Sequence, residues 1–185
     1  VTTTEAGTGS ATEAITSGAG GQLLLTNAAG DNDLDFLQLK GESFLIDGTK
    51  RAFFSARWKV SDATQSDLVM GLQITDTTPL AATDGLNFRK DDGDALLDFV
   101  CEKDGTETLS AGVATLADDT FITTSFFIDP NAALVYYAIN NAEPVAHSNL
   151  YLPDNEELTV SFGIQNGEAA AKTMTIDYVT AIVER

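Results

Sequence analysis

Three carboxylates stand close together in "DFVCEKDGTE", residues 98–107: Glu102, Asp104 and Glu107. Carboxylates at such spacing could cleave a glycosidic bond, one as nucleophile and one as acid/base, provided that they face each other about 5–5.5 Å apart. That needs an extended strand lining a groove. Here "KDGT" (103–106) interrupts the acids, and Asp-Gly suits the positive φ of a two-residue hairpin turn. The expectation is a solvent-exposed corner with the three acids splayed around it, and no apolar neighbour to raise a carboxyl pKa.

A second acidic stretch, "DNDLDFLQLKGE" (31–42), sets Asp31, Asp33 and Asp35 at alternate positions with Glu42 at the twelfth. This echoes a calcium loop, but Phe36 occupies the position that needs glycine and no helices flank it. What survives is a weak calcium candidate at Asp31 and Asp33, and otherwise no cofactor is expected. His147 is the only histidine, in "NAEPVAHSNL", which reads as loop or edge strand. No G-x-S-x-G, phosphate loop or set of His/Cys ligands accompanies it. Cys101 is the single cysteine and lies in an apolar alternating run, so it reads as a buried structural thiol. With no catalytic constellation, the chain is expected not to be an enzyme.

The elements that would carry these residues are short. In 185 residues, 43% hydrophobic and 21% charged, one domain with a sizeable core is expected. Residues 1–21 stand apart: 17 of them are Gly, Ala, Ser or Thr, and they read as a flexible arm. "VTTTEAGTGS" has neither the basic nor the apolar region of a secretory signal. From residue 22 to 185 the text becomes strands of period two between Asp/Gly/Asn turns. In "RAFFSARWKV" the inward row is Phe54, Ala56, Trp58 and Val60, and in "DLVMGLQIT" it is Leu68, Met70, Leu72 and Ile74. Later strands assign Leu134, Tyr136 and Ala138, then Leu158, Val160, Phe162 and Ile164, then Met174, Ile176 and Tyr178 to the core. No stretch shows a helical period, and none approaches the roughly 18 apolar residues of a membrane span. The fold class is all-β: a two-sheet antiparallel sandwich with an N-terminal arm.

Charge constrains partners. Twenty-eight acids against ten bases leave a net charge of −18, which disfavours nucleic acid and anionic membrane. No Lys or Arg occurs between Lys103 and Lys172, whereas Lys50, Arg51, Arg57 and Lys59 crowd one stretch and are candidates for docking a partner.

Four segments, "RAFFSARWKVSDATQSDLVMGLQITDT", "DGLNFRKDDGDALLDFVCEKDG", "DDTFITTSFFIDPNAALVYYAINN" and "IDYVTAIVER", resemble the concanavalin A-like (laminin G-like) jelly roll. "KVSDATQSDLVMGLQITDTTPL" with "LPDNEELTVSFGIQNGEAAAKTMTIDYV" is similar to head decoration (cement) proteins of tailed bacteriophages. That resemblance implies a structural protein on the outer surface of a virion, bound to the major capsid protein as a homo-oligomer, with the arm as a docking element. The alternative is a carbohydrate-binding, lectin-like module. Its sugar-stacking candidates are Tyr137 and Tyr151, ahead of Tyr136 and Phe88, with Trp58 expected in the core. A glycosidase using Glu102 and Glu107 is the third reading.

Overall fold

The computed structural model describes residues 1–185, the side chain of Thr2 apart. Its strands are β1 (Thr2–Ala6), β2 (Thr12–Thr16), β3 (Gln22–Thr26), β4 (Leu34–Gln38), β5 (Phe44–Leu45), β6 (Ala52–Val60), β7 (Ser66–Gln73), β8 (Gly85–Lys90), β9 (Leu96–Lys103), β10 (Thr106–Thr115), β11 (Ile122–Asp129), β12 (Leu134–Ile139), β13 (Val145–Ser148), β14 (Glu157–Asn166) and β15 (Thr173–Val183). The only helical element among the described residues is a 3₁₀ turn at Pro79–Ala81, so no helix is long and apolar enough to cross a membrane.

All pairings are antiparallel, and they build two sheets. One runs β1-β4-β14-β7-β8-β9-β10, with β5 joined to β14; the other runs β13-β12-β11-β6-β15-β3-β2. The core between them is what alternation predicts for a sheet with one buried face. Phe54, Ala56, Trp58 and Val60 of β6 meet Leu68, Met70 and Leu72 of β7, Phe88 of β8 and Phe99 of β9, all buried. Phe54 stacks on Phe126 at 5.1 Å, and Phe99 lies 5.8 Å from Phe126 across the layer. The chain is thus a two-sheet antiparallel sandwich, as its alternation predicts, with the jelly-roll architecture that the resemblance implies.

The structure corrects three details and adds a strand. Residues 1–21 are not a flexible arm, because β1 is the outer strand of one sheet, on β4, and β2 that of the other, on β3. A ladder satisfies main-chain groups whatever the side chains are, so a segment poor in apolar residues can still dock at an edge. The carboxylate of Asp33 adds to this, accepting from the N–H of Thr8 at 2.7 Å.

On β12 the inward row is Val135, Tyr137 and Ile139 rather than Leu134, Tyr136 and Ala138. Both rows are apolar, so a one-residue slip cannot be resolved from the pattern. On β15 Met174 and Ile176 face the core as expected. A bulge between Ile176 and Tyr178 then turns Tyr178 outward and leaves Val179, Ala181 and Val183 packed inward. Lastly, β10 escapes the alternation rule because its register shifts between Ser110 and Ala114.

Candidate functional site

The hairpin at the acidic stretch forms as its Asp-Gly predicts: Asp104 and Gly105 have φ of 51° and 71°, and Lys103 pairs with Thr106. Asp104 stands at the corner, its N–H donating to Asp84 at 3.0 Å. Glu102 and Glu107, however, are direct register partners on β9 and β10. They share one face rather than splaying, and cross-strand partners stand about 5 Å apart at Cβ. Arg89 of β8 pairs with Glu107 at 3.0 Å. Burial, then the neighbouring Glu107, raises the pKa of Glu102 above the carboxylate norm, against the opposing Arg89. The expectation that nothing raises a carboxyl pKa here is therefore corrected at Glu102. Two carboxyls on one sheet face, one of them partly buried and the other paired with a guanidinium, sit in unequal surroundings.

These residues belong to the outer face of the first sheet, which is unusually polar and closed. Register aligns Gln38, Ser161, Gly71, Asn87 and Val100 in one row, and Thr159, Gln73, Gly85, Glu102 and Glu107 in the next. The segment between β7 and β8 folds over one side of this face. Gln38 donates to the carbonyl of Ile74 at 3.0 Å and to Ser161 at 2.8 Å, and Gln73 donates to the carbonyl of Pro79 at 2.9 Å. Leu80 packs on Leu34, Phe36 and Val69. The sequence signal for Gln38, Gln73 and Asn87 is only that polar residues recur at alternate positions of apolar strands.

The outer face of the second sheet has a different character. Tyr136, Phe127, Phe53 and Ile182 fall in one register row across β12, β11, β6 and β15. Phe53 is 38% exposed and Ile182 59%. A cleft of about 600 Å³ opens over Tyr136, Phe127 and Phe53, lined also by Ser125, Asp129, Tyr137 and Pro144. The sugar-stacking candidates resolve unevenly. Tyr137 reaches the cleft wall, but its ring turns inward, 5.2 Å from Phe99. Tyr151 lies half-buried in the segment after β13. Phe88 is in the core, as is Trp58, whose indole N–H donates to Thr124 at 3.0 Å. Alternation sets Phe53 opposite the inward Phe54, but only the register of the sheet lines it up with Phe127 and Tyr136.

The basic candidates sit on or beside this face and are largely matched. Arg57 pairs with Asp177 at 2.7 Å, Lys59 with Asp119 at 3.4 Å and Lys50 with Asp47 at 3.7 Å. Arg57 also lies 4.0 Å above the ring of Phe121, while Arg51 is exposed and its main-chain N–H donates to Glu184 at 3.2 Å. Of the calcium candidates, Asp31 is exposed, and the buried carboxylate of Asp33 accepts from Thr8 and, at 2.9 Å, from the N–H of Gly30. Among the described residues no three His, Cys, Asp or Glu side chains are grouped to hold a metal ion. Cys101 is fully buried, and burial pushes its thiol up to about 12. His147, on the edge strand β13, links the two sheets, 3.0 Å from Thr108 and 2.8 Å from Ser110.

No protein-family profile matches the sequence, and no curated protein matches it. Solved structures do match in shape. Protein SO2946 of Shewanella oneidensis MR-1, described as of unknown function, superposes with a TM-score of 0.65 at 13% identity, covering 98% of this chain and 78% of its own. The potassium-bound carbohydrate recognition domain of Emp46p gives 0.61 at 14% identity, over 93% and 87%. An endo-beta-1,4-glucuronan lyase of Trichoderma reesei gives 0.59 at 10% identity, over 96% and 89%. Such identities carry the fold and no activity, and that fold is the jelly-roll sandwich of lectin-type domains and polysaccharide lyases. The expectation that the chain is not an enzyme is therefore overturned, since the same architecture supports a lyase and the missing catalytic motif has no excluding force. None of the three is described as a virion protein, so the likeness to phage decoration proteins gains no support from them.

Proposed function

We propose that the chain binds carbohydrate, seating a sugar chain in the cleft on the outer face of the second sheet. The observation that carries this is the register row of Tyr136, Phe127 and Phe53 on an exposed sheet face. Adjacent strands lie about 4.8 Å apart, so with Ile182 the row offers an apolar path of roughly 14 Å. The apolar faces of pyranose rings can stack on such rings, while Asp129, Ser125 and the Tyr136 hydroxyl are placed to engage hydroxyl groups. The cleft volume falls within the usual range for small-ligand sites, about 300–1,000 Å³.

Glycan-array screening followed by calorimetry tests this. Phe53→Ala and Tyr136→Ala should each weaken binding at least tenfold and leave the melting temperature nearly unchanged, because both rings are partly exposed. Absence of any bound glycan, or indifference of affinity to both substitutions, would sink the reading.

A second reading is attachment to the outer surface of an assembled capsid, with the major capsid protein as partner. It is supported by the resemblance of residues 22–185 to phage head proteins and by the same exposed apolar row, which suits protein docking equally well. Co-sedimentation with assembled, DNA-filled heads is its test, and failure to co-sediment removes it.

A further inference from the structure

Asp35 has no exposed surface, and neither of its carboxylate oxygens has a hydrogen-bond partner. It lies on β4 between Leu34 and Phe36, which pack on the outer face of their sheet, so its side chain points to the interior side with Leu37. Strands from the first sixteen residues enclose it. Glu5 of β1 is its register partner, and Glu13 of β2 comes from the opposite sheet. These are the charged groups that face it; Ile164, opposite it on β14, and Leu25, opposite Glu13 on β3, carry no charge. No cation is nearby to compensate, and Asp33 is already engaged by backbone N–H groups.

A buried carboxyl with no donor and two carboxylate neighbours is tolerable while it is protonated and costly once ionised. The cost is relieved when whatever encloses it moves away. Here that is β1 and β2, the most easily detached strands of the molecule. Both are outermost in their sheets, and neither presents a large buried apolar side chain. They join the rest of the fold through Ser17–Gly21, where Gly20 and Gly21 take φ of 87° and 84°. We propose that Asp35 is a proton-operated latch: its protonated form keeps residues 1–16 docked, and its ionised form releases them and bares the edges of β4 and β3. Bared edges are templates for strand addition by another chain.

Burial, then Glu13 and Glu5, push the Asp35 pKa up to about 7 from a usual 3.8. A carboxyl raised in the docked state favours docking fully below its released-state value and loses that contribution as pH climbs through about 7.

Hydrogen exchange of residues 2–6 and 12–16 from pH 4 to 8, corrected for intrinsic rates, reads the opening directly. Protection should fall about tenfold per pH unit between about pH 4 and 7 and then level off. In Asp35→Asn it should be high and independent of pH. In Glu5→Gln/Glu13→Gln, whose changes are at exposed side chains, the fall should level off at lower pH; this pair decides the matter if Asp35→Asn does not fold. Protection that ignores pH in the unaltered protein, is absent at pH 5, or keeps its slope in Asp35→Asn or its end point in the double variant would overturn the latch.

Discussion

At the end of β8 the ammonium of Lys90 is enclosed, donating to the carbonyls of Thr64 at 3.3 Å, Asp91 at 2.9 Å and Ser66. Burial lowers its pKa, against the pull of Asp67, Asp94, Asp92 and Asp62. Three main-chain oxygens around one cation hold together the 62–66 and 91–94 turns. Lys90→Met keeps the aliphatic stem and leaves those oxygens without a donor, so a loss of about 3 kcal/mol is expected in urea unfolding. A change below about 0.5 kcal/mol would mean that water replaces the ammonium at no cost. Glu102 shows the same sensitivity to surroundings at smaller scale. Its raised pKa comes from burial and from Glu107, which is five positions away in sequence but directly opposite in the sheet.

The β9–β10 hairpin is the element that most clearly converts sequence into geometry. Asp104 and Gly105 both take positive φ, the type I′ turn that matches strand twist, and the consequence is that Glu102 and Glu107 end opposite each other. Any residue with a side chain is strained at Gly105, so Gly105→Ala should cost about 1–2 kcal/mol. Chemical denaturation measures the loss, and the Arg89–Glu107 pair should loosen with it. Asp104→Ala should cost less than Asp104 and Gly105 changed together. Strands β12 and β15 make the opposite point. Their patterns permit either face, and the outcome was set by a one-residue register and by a bulge that no local rule announces.

At the scale of the molecule, two seams join the sheets along their edges, and each is closed by a titratable group that favours neutrality. Asp35 lies at the seam of β1 and β2, and His147 at that of β10 and β13, edge-on to Phe99 at 5.0 Å. Burial lowers the His147 pKa below 6.5. A histidine depressed in the folded state contributes stability that is complete above about 6.5 and fades as pH falls through its folded value. The melting temperature of the unaltered protein, compared with that of His147→Gln, should therefore fall more steeply below pH 6.5. Parallel profiles would show that Thr108 and Ser110 accommodate the imidazolium. The two seams respond in opposite directions: under the proposed latch rising pH weakens the one at Asp35, and falling pH weakens the one at His147.

Alternation and turn chemistry alone determined the all-β class, the buried row of Phe54, Ala56, Trp58 and Val60, the inert Cys101 and the hairpin at Asp104–Gly105, because each depends on neighbours within a few residues. Residues 1–21 looked unstructured, since their composition promises no core, yet edge pairing requires only main-chain groups and a vacant partner strand. The cleft over Phe53, Phe127 and Tyr136, the Glu102–Glu107 pairing with Arg89 and the enclosure of Asp35 were decided by tertiary structure. Register and bulges choose which face each side chain joins, and desolvation by distant strands raises the pKa of Asp35 and Glu102.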